Sequence, residues 1–119
     1  MIVDWDKRII DLFSDFADEE LQRRSWFGIG PECTSPVEMC NWIDDVFLEE
    51  WLGEQGKYIS RNLHKFIEDF IKDIEDLSDF TDDLFVFSSV KWMSIRLKAS
   101  VIRDLLKVYI NKKNTPIEK

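Results

Sequence analysis

The sequence predicts an all-α fold, a compact bundle of about four main helices making one domain over residues 1–119. Three observations predict it. Residues 57–77 place Ile59, Leu63, Phe66, Ile67, Phe70, Ile71, Ile74 and Leu77 within an arc of about 140° at 3.6 residues per turn. Ser35-Pro36-Val37-Glu38 reads as a helix start, with Ser35 as N-cap, Pro36 at the first helical position and Glu38 completing a capping box. Residues 89–110 are apolar around well over half of a helical projection, so that helix has to be covered by others.

In chain order, the first helix is expected over about 4–21. Trp5, Ile9, Leu12, Phe13, Phe16 and Ala17 lie on one arc, with Lys7, Asp11, Ser14 and Asp18 opposite. Gln22-Arg23-Arg24 puts cations near its C-terminal end, where the helix dipole favours them. Residues 25–36 hold two of the four glycines and two of the three prolines and keep to neither regular period. They are expected to form an ordered loop, because Trp26, Phe27 and Ile29 would be costly to leave in water. The second helix runs over about 36–52 and stops at Gly53, with Met39, Cys40, Ile43, Val46, Phe47 and Trp51 on its buried arc. Glu50 breaks that arc: an isolated carboxylate there calls for a basic partner such as Arg96 or Arg103, or else the helix frays and Glu50 reaches solvent. Residues 57–77 form the third helix, with Lys65/Asp69 and Lys72/Asp76 as solvated pairs four apart. Residues 78–88 fit either a short helix from Ser78 or a linker that packs Leu84 to Phe87 on the bundle.

The last helix, 89–110, carries two apolar faces. Val90, Met93, Leu97, Val101, Leu105 and Val108 make one, and Trp92, Ile95, Ala99, Ile102, Leu106 and Tyr109 the other. Arg96, Arg103 and Lys107 leave a narrow basic seam, and Lys91 and Lys98 are expected to lay their stems along neighbours. Residues 110–119 read as a polar tail. Trp5, Phe13, Ile43, Phe47, Phe66, Phe70, Leu97, Val101 and Leu105 are the expected core.

The net charge of −8 conceals a division. Residues 1–90 carry 8 Lys/Arg against 22 Asp/Glu, a net −14, whereas residues 91–119 carry 8 against 2, a net +6. An acidic body surrounds a basic C-terminal element. That surplus argues against nucleic acid or an anionic membrane as direct target and for a basic protein as partner. Met1-Ile2-Val3 leads into Asp4 and Asp6 without the charged and apolar regions of a signal peptide, and no apolar run approaches the length of a bilayer span. A cytoplasmic, soluble protein is expected.

The residues of catalysis and metal binding are sparse. His64 is the only histidine, on the border of an apolar face, and nothing in sequence brings Cys33, Cys40 or a serine to it. His64 and Glu68 are four apart, but the paired Glu-x-x-His pattern of carboxylate-bridged metal bundles does not occur. Nor does a calcium-loop spacing. Two cysteines without further Cys or His nearby make neither a disulfide scaffold nor a zinc site, and Cys40 reads as a reduced, buried thiol. Gly28-Ile29-Gly30 lacks the preceding strand and third glycine of a dinucleotide-binding turn, and Pro31 comes directly after it. No enzyme activity and no cofactor are expected.

Trp26-Phe27-Gly28-Ile29-Gly30-Pro31, succeeded by a capped helix bearing Asp44-Asp45 and Glu49-Glu50, resembles the small acidic immunity proteins that bacteria make against nuclease toxins. These include the immunity proteins of contact-dependent growth inhibition. The resemblance extends to size, charge and helical architecture over the whole chain. It implies an inhibitor that binds a cognate basic toxin domain, often an RNase or DNase, and covers its active site or a nearby surface. The alternative is a helical adaptor or regulator that presents the same acidic face to another basic protein. On the residues alone, two groups are placed to bind a partner. Asp44, Asp45 and Glu49 stand where no Lys or Arg occurs between Glu32 and Glu54. Asp79, Asp82 and Asp83 are flanked by Phe80 and Phe85, which add apolar anchors beside charge.

Overall fold

The computed structural model describes residues 4–28, 34–77 and 83–114. Among the described residues every regular element is a helix: α1 (Trp5–Ala17), α2 (Glu19–Trp26), α3 (Pro36–Asp45), α4 (Leu48–Gln55), α5 (Arg61–Glu75), α6 (Asp83–Ser88) and α7 (Val90–Asn114). The all-α expectation holds, but two of the four expected helices are each divided in two.

The first division falls at Asp18. Its backbone is extended and its carboxylate accepts the Leu21 N–H at 2.9 Å, so it ends α1 and caps α2 in one step. Glu19 and Glu20 in the first turn of α2, and Arg23 and Arg24 in its last, both suit the helix dipole. The second division falls at Phe47, which sits in the left-handed region (φ 56°, ψ 48°) between α3 and α4. Few non-glycine residues adopt that conformation, at a cost of roughly 1–2 kcal/mol. The break gives α4 a new direction. Leu48, Trp51 and Leu52 turn inward, while Phe47 and Glu50 turn out. Glu50 therefore reaches solvent and needs no basic partner such as Arg96 or Arg103, the second of its two expected readings. Ser35 caps α3 by accepting the Glu38 N–H at 3.2 Å, as its sequence predicts, and Ser60 caps α5 through the Leu63 N–H. Trp26 closes α2 and is buried rather than standing in a loop. Helix α7 continues to Asn114, so residues 110–114 are helical and Ile110 is buried, not part of a tail.

Helix α7 lies on α1 and α5, with α6 beside it. Trp92, Ile95, Ala99, Ile102 and Leu106 on its inner face are fully buried. Phe13 and Phe16 of α1 meet Phe70 of α5 edge-on at 5.0 and 5.1 Å, and Trp92 stacks beside Phe16 and Trp26. This aromatic knot is the centre of the core. Gln22 of α2 is buried within it. Its Nε2 donates to the carbonyls of Asp15 and Phe16 at the end of α1, and its Oε1 accepts the Trp92 indole N–H at 2.9 Å and Arg96 Nε at 3.1 Å.

Six residues of the expected core lie elsewhere. Leu97, Val101 and Leu105 are exposed because α1 and α5 cover the opposite face of α7, where Ala99 permits close approach and Trp92 finds Gln22. Phe66 sits at the rim of the α5 arc, and Trp5 and Phe47 lie on the surface. Phe13, Ile43 and Phe70 are buried as expected.

Candidate functional site

The same break that exposes Phe47 opens a groove of about 570 Å³ between the start of α1 and the α3–α4 junction. Its floor is Trp51, whose indole N–H donates to Asp6 Oδ1 at 3.0 Å and ties α4 to α1. Trp5 and Phe47 stand at its edge, their rings nearly perpendicular with centroids 5.4 Å apart. Asp4, Glu50 and Glu54 are exposed around them. Asp4 is held as the N-cap of α1, accepting the Lys7 N–H at 3.0 Å. Aromatic faces beside carboxylates suit a guanidinium or ammonium group, which meets negative ring faces and negative oxygens together. The fold already uses half of that chemistry, since the Arg8 guanidinium lies 5.2 Å from the Trp5 ring centre.

The sequence-predicted residues are distributed unevenly around this groove. Asp44 and Asp45 are exposed at the last turn of α3, directly before Val46 and Phe47 of the groove in sequence. That turn carries no basic residue, so two carboxylates face the negative end of the helix dipole without local relief. Glu49 is exposed and lines a different recess, with His64 and Glu68. Asp79, Phe80 and Asp82 lie outside the described residues, and Asp83 and Phe85 are placed in α6 by backbone alone. Trp5, Phe47, Glu50 and Glu54 escaped sequence reasoning. The signal for them was Glu50 itself, a carboxylate that could not sit in the arc of one continuous helix.

His64 and Cys40 lie outside this groove. His64 Nδ1 is 2.6 Å from Glu68 Oε1 on the outer side of α5, and its ring packs close against Gly56. The Cys40 thiol is half-buried on α3, and burial pushes its pKa up to about 12, which suppresses the nucleophilic thiolate. Among the described residues, no group of three or more His, Cys, Asp or Glu is arranged to hold a metal ion, and no helix is long and apolar enough to cross a membrane. No family model, curated protein or solved structure matches the chain.

Proposed function

We propose that this protein is a non-enzymatic cytoplasmic inhibitor of the immunity type, which binds and neutralises a cognate basic toxin domain of the nuclease class through the groove between α1 and α4. The observation that carries the proposal is the exposed Trp5–Phe47 pair set among the carboxylates of Asp4, Glu50 and Glu54, with Phe47 in a strained conformation. Backbone strain of this kind persists where the surrounding structure enforces it, and it gathers at binding sites. A nuclease is basic where it grips phosphate. A Lys or Arg from that surface would enter the groove, cover the aromatic rings and end on Glu50 or Glu54, removing the cation from the nucleic acid. The surrounding negative field, including Asp44 and Asp45, would raise the encounter rate.

Co-expression with a panel of basic nuclease toxin domains, to find one that the parent protein neutralises, tests the proposal. The parent protein restores growth. A Glu50→Lys/Glu54→Lys variant, changed only at exposed positions, folds as the parent does and gives no protection. Full protection by that variant would refute the groove as the inhibitory surface.

A further inference from the structure

Helix α7 keeps an apolar face that its own fold does not cover. Val90, Leu97, Val101 and Val108 fall within about 40° of one another on a helical projection, opposite the buried face, with Met93 and Leu105 at the margins. They are 82%, 69%, 43% and 53% exposed. The row runs five turns, about 27 Å at 1.5 Å per residue. Contiguous apolar patches on monomers seldom exceed about 300–600 Å², and larger ones mark interaction surfaces. Spacings of 7, 4 and 7 residues repeat every eleven, close to the natural pitch of a straight helix, so a second helix laid alongside stays in contact along the whole row.

The charges around the row select its occupant. Lys91 and Lys107 flank it on opposite sides and Lys112 extends it; all three are exposed, and none makes an ion pair among the described residues. Asp73 of α5 and Asp76 at its C-cap border the Val90 end, where Lys98 pairs with Asp73. The one acidic residue of α7, Asp104, lies against Arg103 at 3.1 Å. Helix α7 carries seven Lys/Arg against that single Asp. Pairing with α7 of a second copy would set those cations against their equals. An anionic bilayer would meet the −14 carried by residues 1–90. An acidic helix satisfies both parts of the surface.

We infer that the outer face of α7 is a docking site for an amphipathic acidic helix of a partner protein, with aliphatic anchors at helical spacing and carboxylates beside them. The face shares no residue with the α1–α4 groove, so both surfaces are available at once. It uses the helix-in-groove principle, in which apolar anchors give affinity and flanking charges give orientation.

The test is selection from a display library of 21-residue helical peptides with four fixed leucines spaced as in the row and flanking positions randomised among Glu, Lys and Gln. Enrichment of Glu at the flanks, with binding weakened at least tenfold by Leu97→Glu and restored by Leu97→Met, supports the inference. Leu97→Glu leaves the folded protein intact, since the side chain is already in solvent, and its circular dichroism verifies this. Enrichment of Lys flanks, or peptides whose binding ignores Leu97→Glu, overturns it. Two further measurements decide between occupants. A dimer in sedimentation equilibrium at 10–100 µM that Leu97→Glu dissolves would assign the face to a second copy. Binding to phosphatidylserine vesicles that the same variant abolishes would assign it to a membrane. Either result overturns the acidic-helix assignment, and a monomer that ignores vesicles supports it.

Discussion

Replacing Gln22 by Leu should cost far more than its modest size implies. The amide uses both donors and its acceptor oxygen inside the core, joining the end of α1 to Trp92 and Arg96 of α7. Leucine fills the volume but satisfies none of those groups. Arg96 can compensate in part, because Glu19 lies 4.0 Å away and the Phe87 carbonyl is within reach. The Asp15 carbonyl still accepts the Asp18 N–H. The Trp92 indole N–H and the Phe16 carbonyl lose their Gln22 partner, and a buried polar group left without a partner costs roughly 1–3 kcal/mol. Gln22→Leu is therefore expected to destabilise by about 3–4 kcal/mol, a large share of the roughly 5–15 kcal/mol that holds a domain of this kind together. Urea unfolding monitored by tryptophan fluorescence measures it, with Trp92→Phe closing a double-mutant cycle. In the Trp92→Phe background the indole donor is already gone, so the second change should cost about 1–2 kcal/mol less. A Gln22→Leu loss below 1 kcal/mol, or strict additivity with Trp92→Phe, would refute the role assigned to this amide.

Three more predictions concern α1 and α5. Asp15 is half-buried, and burial together with the neighbouring Asp11 and Asp18 carboxylates raises its pKa from the ordinary 3.8. A raised folded-state value favours the fold below pH 3.8 and loses that contribution as pH climbs through the folded value. Asp15→Asn should thus stabilise the fold at pH 7 by no more than about 1 kcal/mol given solvent screening, read as a higher thermal midpoint, and leave that midpoint unchanged at about pH 3; equal effects at both pH values would contradict this. On α5, Phe70→Ala should cost about 3–5 kcal/mol, because the ring is fully enclosed between Phe13 and Phe16. Phe66→Ala should cost about 1 kcal/mol in chemical denaturation, since that ring is partly in solvent.

The features legible in the sequence were those set by periodicity and capping. The α5 arc and the Ser35-Pro36 start survive in the structure because each depends on residues within a few positions of one another. The misses have the opposite origin. Asp18 lies on the polar side of a pattern that continues to Leu21, so its extended backbone and capping role depend on Gln22 being drawn into the core. Helix α7 offers two apolar faces of similar quality, and the choice between them was made by a contact 70 residues away in sequence, Gln22 to Trp92. Phe47 reads as core by composition, and only the left-handed turn places it outside. The acidic character of the α3–α4 region was visible from charge alone, whereas the aromatic pair set beside it depends on Trp5 meeting Phe47 across 42 residues.

The central claim, that the Trp5–Phe47 groove grips a cation of a basic toxin domain, is tested most directly at Phe47. Glycine adopts φ near 56° without strain, so Phe47→Gly trades roughly 1–2 kcal/mol of relieved strain against the lost contact with Trp5, worth about 0.5–1.5 kcal/mol. The variant should unfold within about 1 kcal/mol of the parent. Calorimetric titration against a basic nuclease toxin domain that the parent protein neutralises should then show Kd weakened at least thirtyfold, equivalent to about 2 kcal/mol, with the loss carried mainly by faster dissociation. A Phe47→Gly protein that is equally stable and binds the toxin domain with parental affinity would contradict the account.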